Sequence, residues 1–201
     1  MNNPRANPEF YCAGDRSLLE LPCVAIVGSR KASEPGIRRA RRLARELVEA
    51  GVVVMSGLAL GVDVAAHQEA MARGGRTIAV VGTPLYRAYP PEHASLQDEI
   101  AARHLVVSPF GTCKPWIRGC FPTRNRLMAK LSQATVIVEA TDQSGTLHQA
   151  EACARLGRSL FLCASLVTNP HVRWPQRFAG PRTHVLTSTQ QVLEVLRRPT
   201  A

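Results

Sequence analysis

The sequence predicts an α/β domain built on a doubly wound, mostly parallel sheet with helices on both faces. Six short apolar runs recur along the chain, at 23–27, 52–55, 77–81, 105–108, 135–140 and 160–163. They are continuous rather than alternating, as in strands buried on both faces. Helical patterns separate most of them, which is the signature of repeated βαβ units. With 201 residues and 45% hydrophobic content, the chain suits one core of ordinary size.

Taken in order, residues 1–21 are polar and mixed, with Pro4 and Pro8, and read as a short arm ahead of a domain spanning 22–201. "CVAIV" is the first strand. In the helix that follows, Ser33 is a suitable cap and Pro35 sits in the first turn, where a missing N–H does no harm. Ile37, Ala40, Leu43, Ala44, Leu47 and Val48 recur at helical spacing and should face the sheet. Arg38, Arg39, Arg41, Arg42 and Arg45 form a solvated face, and Gly51 ends the helix. "VVVM", "TIAVV" and "LVVS" are the next three strands. In "FPTRNRLMAKLS" (121–132), Pro122 suits a helix entry, and Leu127, Met128 and Leu131 should anchor that helix in the core. "TVIVEA" and "LFLC" are two more strands. A last strand and an amphipathic helix lie in "THVLTSTQQVLEVLRR"; their apolar Val185, Leu186, Val192, Leu193 and Leu196 are either core or a dimer surface.

The formal net charge is +10 and the sequence pI is about 10.1, and of 25 basic residues only Lys31, Lys114 and Lys130 are lysines. Arginine is the better bidentate phosphate ligand. The balance points to an anionic partner without separating nucleic acid, nucleotide and acidic lipid. The six cysteines form no C-x-x-C pair and match no zinc module. Cys23, Cys153 and Cys163 fall in apolar patterns and are expected to be buried free thiols; Cys113 and Cys120 flank a loop and are expected to be reduced. There is no apolar run of membrane-spanning length and no secretory leader. A soluble cytoplasmic protein without metal or cofactor is expected.

The informative residues follow the strands. Gly28, Ser29 and Arg30 follow the first, Ser56 and Gly57 the second, Gly82 and Thr83 the third. Ser144, Gly145 and Thr146 lie just past "TVIVEA" and open a helix. Open parallel sheets bind ligands beyond the carboxyl ends of their strands. Small residues there let N–H groups approach an anion, and helix N-termini favour it. Each motif alone has a plainer reading as a turn or cap, and G-x-G-x-x-G is absent. Asp63 and His67, four apart, form either an acid–base pair or, as expected here, a structural hydrogen bond near a helix start. Phe110, Trp116 and Phe121 are the candidates for base stacking.

The ordered set "VAIVGSRKAS", "SGLALGVDVAAH", "GGRTIAVVGTPLYRAYPPEH", "FPTRNRLMAKLS" and "VIVEATDQSGTLHQAEACARLGRSLF" resembles the DNA-processing protein A (DprA/Smf) family over about residues 22–197. The resemblance implies an extended Rossmann-like domain that binds single-stranded DNA, forms homodimers and helps load RecA in natural transformation, without enzymatic activity. Carried over, the DNA- and phosphate-binding positions are Gly28, Ser29, Arg30, Ser56, Gly57, Arg124, Asn125, Arg126, Ser144, Gly145 and Thr146. Phosphates would sit against the N–H groups of Gly28–Ser29 and Ser144–Gly145. Arg124 and Arg126 would face the DNA, with Asn125 ordering the turn. Gln143 stands where many members have a lysine. Arg173 and Arg177, in an unusual segment after "LFLC", are placed to replace that charge. The N-terminal helical domain and C-terminal winged helix of many members are absent from this sequence. The alternative is a nucleotide-binding or phosphoribohydrolase-like protein with Glu151 in the place of the catalytic glutamate, against which the missing "PGGxGT" double glycine argues.

Overall fold

The computed structural model describes residues 9–111 and 119–197. Eight strands form one sheet: β1 (Tyr11–Gly14), β2 (Cys23–Val27), β3 (Val53–Ser56), β4 (Thr77–Val80), β5 (Leu105–Ser108), β6 (Ala134–Ile137), β7 (Ser159–Cys163) and β8 (Thr183–Leu186). Their spatial order is β1-β5-β4-β3-β2-β6-β7-β8, and every pairing except β1 with β5 is parallel. The helices are α1 (Glu34–Glu49), α2 (Val62–Ala72), α3 (Ala94–Arg103), α4 (Cys120–Leu131), α5 (Leu147–Arg155), α6 (Ala164–Val167) and α7 (Gln190–Leu196).

Alternation along each strand divides the core between the two faces. Ala25, Val27, Met55, Val80 and Ile137 pack with Leu127 and Met128 of α4 and Ala150 and Cys153 of α5. Val24, Ile26, Val54 and Val136 pack with Ala40, Leu43, Ala44 and Leu47 of α1 and with α2. The first helix follows its sequence pattern. The Ser33 hydroxyl accepts from Gly36 N–H, Ile37 and Val48 pack on the core from its margin, and Gly51 takes a φ of +74° just beyond the end. Of its arginines, Arg38, Arg42 and Arg45 pair with glutamates one turn away. Leu186 and Val192 are core, whereas Val185 is 48% exposed on the β8 edge.

The N-terminal segment departs from the expected arm. Its described part supplies the antiparallel edge strand β1, and Asp15 caps a 3-10 turn that carries Leu18 into the core at 1% exposure. Cys23, Cys153 and Cys163 are buried free thiols, and burial pushes those of Cys23 and Cys163 up to about 11. Cys120 is also buried and free, while Cys113 and Trp116 lie outside the described residues. Among the described residues no helix is long and apolar enough to cross a membrane, and no cluster of His, Cys, Asp and Glu is built to hold a metal ion.

Candidate nucleic-acid interface

The strand order reverses between β2 and β6, which lie side by side with Val27 opposite Ile137. The chain leaves β2 toward β3 on one side and returns to β6 on the other, so the loops beyond these two strands diverge and leave a crevice. A cavity of about 610 Å³ occupies it. Its walls come from Gly28 to Lys31 after β2, from Phe121, Pro122, Arg124 and Asn125 on α4, and from Gln143 to Thr146 before α5.

The floor is a buried ion pair. The Arg124 guanidinium lies 4.0 Å from the Asp63 carboxylate, with both side chains under 10% exposed, and donates to Val80 O at 3.1 Å. Asp63 also accepts from the backbone N–H groups of Gly28, Gly57 and Ala59. Burial pushes its carboxyl above the ordinary range, and Arg124 with the three N–H donors pulls it back. One carboxylate thus ties together the loops after β2 and β3 and the first turns of α4. Gly57 is required beside it: a Cβ there would lie 1.3 Å from Arg124 Nη1.

Several expected ligands are therefore structural. Ser56 is fully buried and donates to Ile26 O. Gly57 makes room for Arg124, and Arg124 is a buried strut rather than a surface cation. Asp63 and His67 do not bond to each other. His67 Nδ1 pairs instead with Thr77 Oγ1 at 2.7 Å, and burial pushes the imidazole down to about 3. The expected cradle of N–H groups is largely spent inside the protein: Gly28 donates to Asp63, Ser29 to Glu139 O and Ser144 to Thr141 O. Gly145 N–H alone of these four has no acceptor among the described residues. Ser144 and Thr146 bond to each other through their hydroxyls, and Thr146 reaches Gly28 O. Asn125 orders a turn, but the one across the cavity, by donating to Gly145 O.

The exposed charge comes from Arg30 and from Lys31, which sequence reasoning passed over although it directly follows Arg30. Neither forms an ion pair among the described residues. The Arg30 guanidinium stands 5.2 Å from the Phe121 ring centre and 5.9 Å from that of Tyr89, and the two rings are 5.4 Å apart. Phe121 thus lies at the cavity as expected, with Tyr89 as an unforeseen neighbour, while Phe110 lines neither the cavity nor the small recess beside it. Gln143 lines the cavity as an uncharged side chain. Arg173 and Arg177 do not replace the charge: neither lines the cavity, and Arg177 pairs with Glu151 at 3.9 Å. Arg126 points away from the cavity into a separate cleft between α4 and α5.

The family model for DNA recombination-mediator protein A matches residues 2–197. The chain belongs to this family. It is similar to the DNA processing protein DprA of Streptococcus pneumoniae, 41% identical over 152 residues that cover 76% of this chain and 53% of that protein. The solved structure of DprA from that organism superposes with a TM-score of 0.83 at 36% identity, covering 92% of this chain and 65% of the other. DNA processing protein A of Helicobacter pylori, solved for its single-stranded DNA binding mode, gives 0.81 at 30% identity and covers 98% and 93%. The chain spans about half the length of the curated relatives it matches. Family membership agrees with the resemblance in the motifs, and the fold agrees with the mostly parallel sheet they implied.

Proposed function

We infer that the switch-point cavity binds single-stranded DNA, as a binding surface rather than a catalytic one. The observation that carries this is the juxtaposition of two exposed cations, Arg30 and Lys31, with no ion pair among the described residues, with Phe121 at the cavity wall and Tyr89 beside it in the adjoining recess. Cations attract phosphates, and aromatic faces accept any base, so the combination suits a flexible strand with unstacked bases and little sequence preference. The floor pair Asp63–Arg124 contributes rigidity, since its charges largely offset each other. The similarity to a relative solved for single-strand binding supports the same reading.

The competing nucleotide-hydrolase reading needs Glu151 at the cavity. Glu151 lines the α4–α5 cleft instead and is engaged by His148 at 3.4 Å and Arg177 at 3.9 Å. Homodimerisation and RecA loading belong to the same proposal, with the β8 edge, last in the strand order among the described residues, as the surface offered for self-association; a sizing column and a RecA pull-down test them. The binding proposal is tested by titrating a fluorescent oligothymidylate against its duplex form. Preferential, salt-sensitive single-strand binding is expected, and equal affinity for both forms or none at low salt overturns it. Release of free base from nucleoside monophosphates, lost in Glu151→Gln, would support the enzyme instead.

A further inference from the structure

Beside the switch-point cavity lies a second cleft, of about 130 Å³, between α4 and α5. Pro122 and His148 line both, so the two spaces share a rim. From that rim the cleft follows one stripe of each helix. On α4 it runs from Pro122 to Arg126, one turn on. On α5 it runs from His148 past Glu151 and Ala152 to Arg155, two turns on and about 10 Å along the axis. Leu156 closes the far end, 43% exposed.

The charge on this stripe is one-sided. Glu151 is its single acid, and His148 and Arg177 engage it. Arg126 and Arg155 are exposed and form no ion pair among the described residues. Two exposed guanidiniums on facing helices, unneutralised and beside an apolar side chain, are poorly explained as a packing device. Arg126 lies in the middle of α4, and a cation complements a helix only at its C-terminal turn, so its charge does not serve the helix dipole.

We propose that the α4–α5 cleft is a second contact site for the nucleic-acid strand, where Arg126 and Arg155 hold a phosphate of the segment that leaves the switch-point cavity over Pro122 and His148. The proposal rests on the single-strand reading of the cavity and adds a path to it: the strand runs from Arg30 and Lys31 across the cavity and out along α5. Short oligonucleotides fill the cavity alone, and longer ones reach the cleft.

The test is a length ladder of fluorescent oligothymidylates titrated at several salt concentrations against wild type, Arg126→Gln/Arg155→Gln and Arg30→Ala, with circular dichroism to verify folding. Removing the contact to that one phosphate should lower the salt slope on long oligonucleotides by about 0.7, so that over a fourfold rise in salt the wild type loses about 2.6-fold more affinity than the double variant. The loss should grow with length. A long-oligonucleotide slope like wild type in the double variant, or equal losses on the shortest and longest strands, overturns the second site while Arg30→Ala still weakens every length. If Arg30→Ala changes nothing at any length, the cavity reading itself fails and takes the proposal with it.

Discussion

Replacing Asp63 by Asn removes one charge from the cavity floor with almost no change of shape. Arg124 then stays buried without its counter-ion, and three backbone N–H donors face an amide that offers one acceptor oxygen. At 4.0 Å the lost attraction is about 4 kcal/mol for an effective dielectric constant of about 20. Experience with broken buried pairs gives a net cost of about 3–5 kcal/mol. A domain with an ordinary stability of about 5–15 kcal/mol would lose a large share of it. In urea denaturation, with a slope of about 2 kcal/mol/M, the midpoint should fall by about 2 M. Arg124→Met provides the reciprocal variant. It leaves the Asp63 carboxyl buried without its cation, so its pKa rises further above the unfolded value. That variant should be most stable below the unfolded carboxylate range and lose stability as pH rises through the raised folded value. The double variant should cost less than the sum of the singles. A midpoint shift below about 0.5 M for Asp63→Asn, or full additivity, would refute the assignment of this pair as the strut of the site.

Other consequences are independent of the pair. His67 is buried and neutral, with its imidazole pushed from an ordinary 6.5 down to about 3. The unfolded chain therefore binds the extra proton, so this stabilisation is full above about 6.5 and lost as pH falls toward about 3. Between pH 7 and pH 5 the loss is about 2 kcal/mol, and urea titrations should show it in wild type and lack it in His67→Gln. Asn125→Ala frees the Gly145 carbonyl and loosens the turn at 144–146; it should weaken oligonucleotide binding by about 1 kcal/mol while leaving the salt slope unchanged, because no charge is removed. Leu18→Ala should cost about 2–5 kcal/mol in thermal or urea unfolding, whereas a loose arm would tolerate it freely.

The strands at 23–27 and 105–108 were legible because continuous β-branched runs buried on both faces have few alternative structures. The edge strand at Tyr11–Gly14 was not, since "YCAG" is short, half-exposed and without a β-branched residue, and its pairing with β5 is made far away in sequence. The location of the site followed from the strand-end loops, but the direction of its side chains did not. Arg124 and Arg126 are two residues apart on a helix and so point about 200° apart, which sends one into the core and the other to a different cleft. The spacing of Asp63 and His67 permits a bond, yet each found a better partner on another element, Arg124 in one case and Thr77 in the other. The N–H groups of Gly28, Ser29 and Ser144 looked available because the sequence does not reveal that Asp63, Glu139 and Thr141 accept from them. Lys31 lies inside "VAIVGSRKAS", but the positions carried over from that stretch stop at Arg30.

On the single-strand reading, exposed charge at Arg30 and Lys31, above a rigid buried floor, holds the phosphates. Its most direct test is the salt dependence of oligothymidylate binding by wild type and by Arg30→Ala/Lys31→Ala. In wild type log K should fall linearly with log salt, and in the variant the slope should be shallower by about 1.4, alike for every base sequence. A variant that binds with the wild-type slope would contradict that reading.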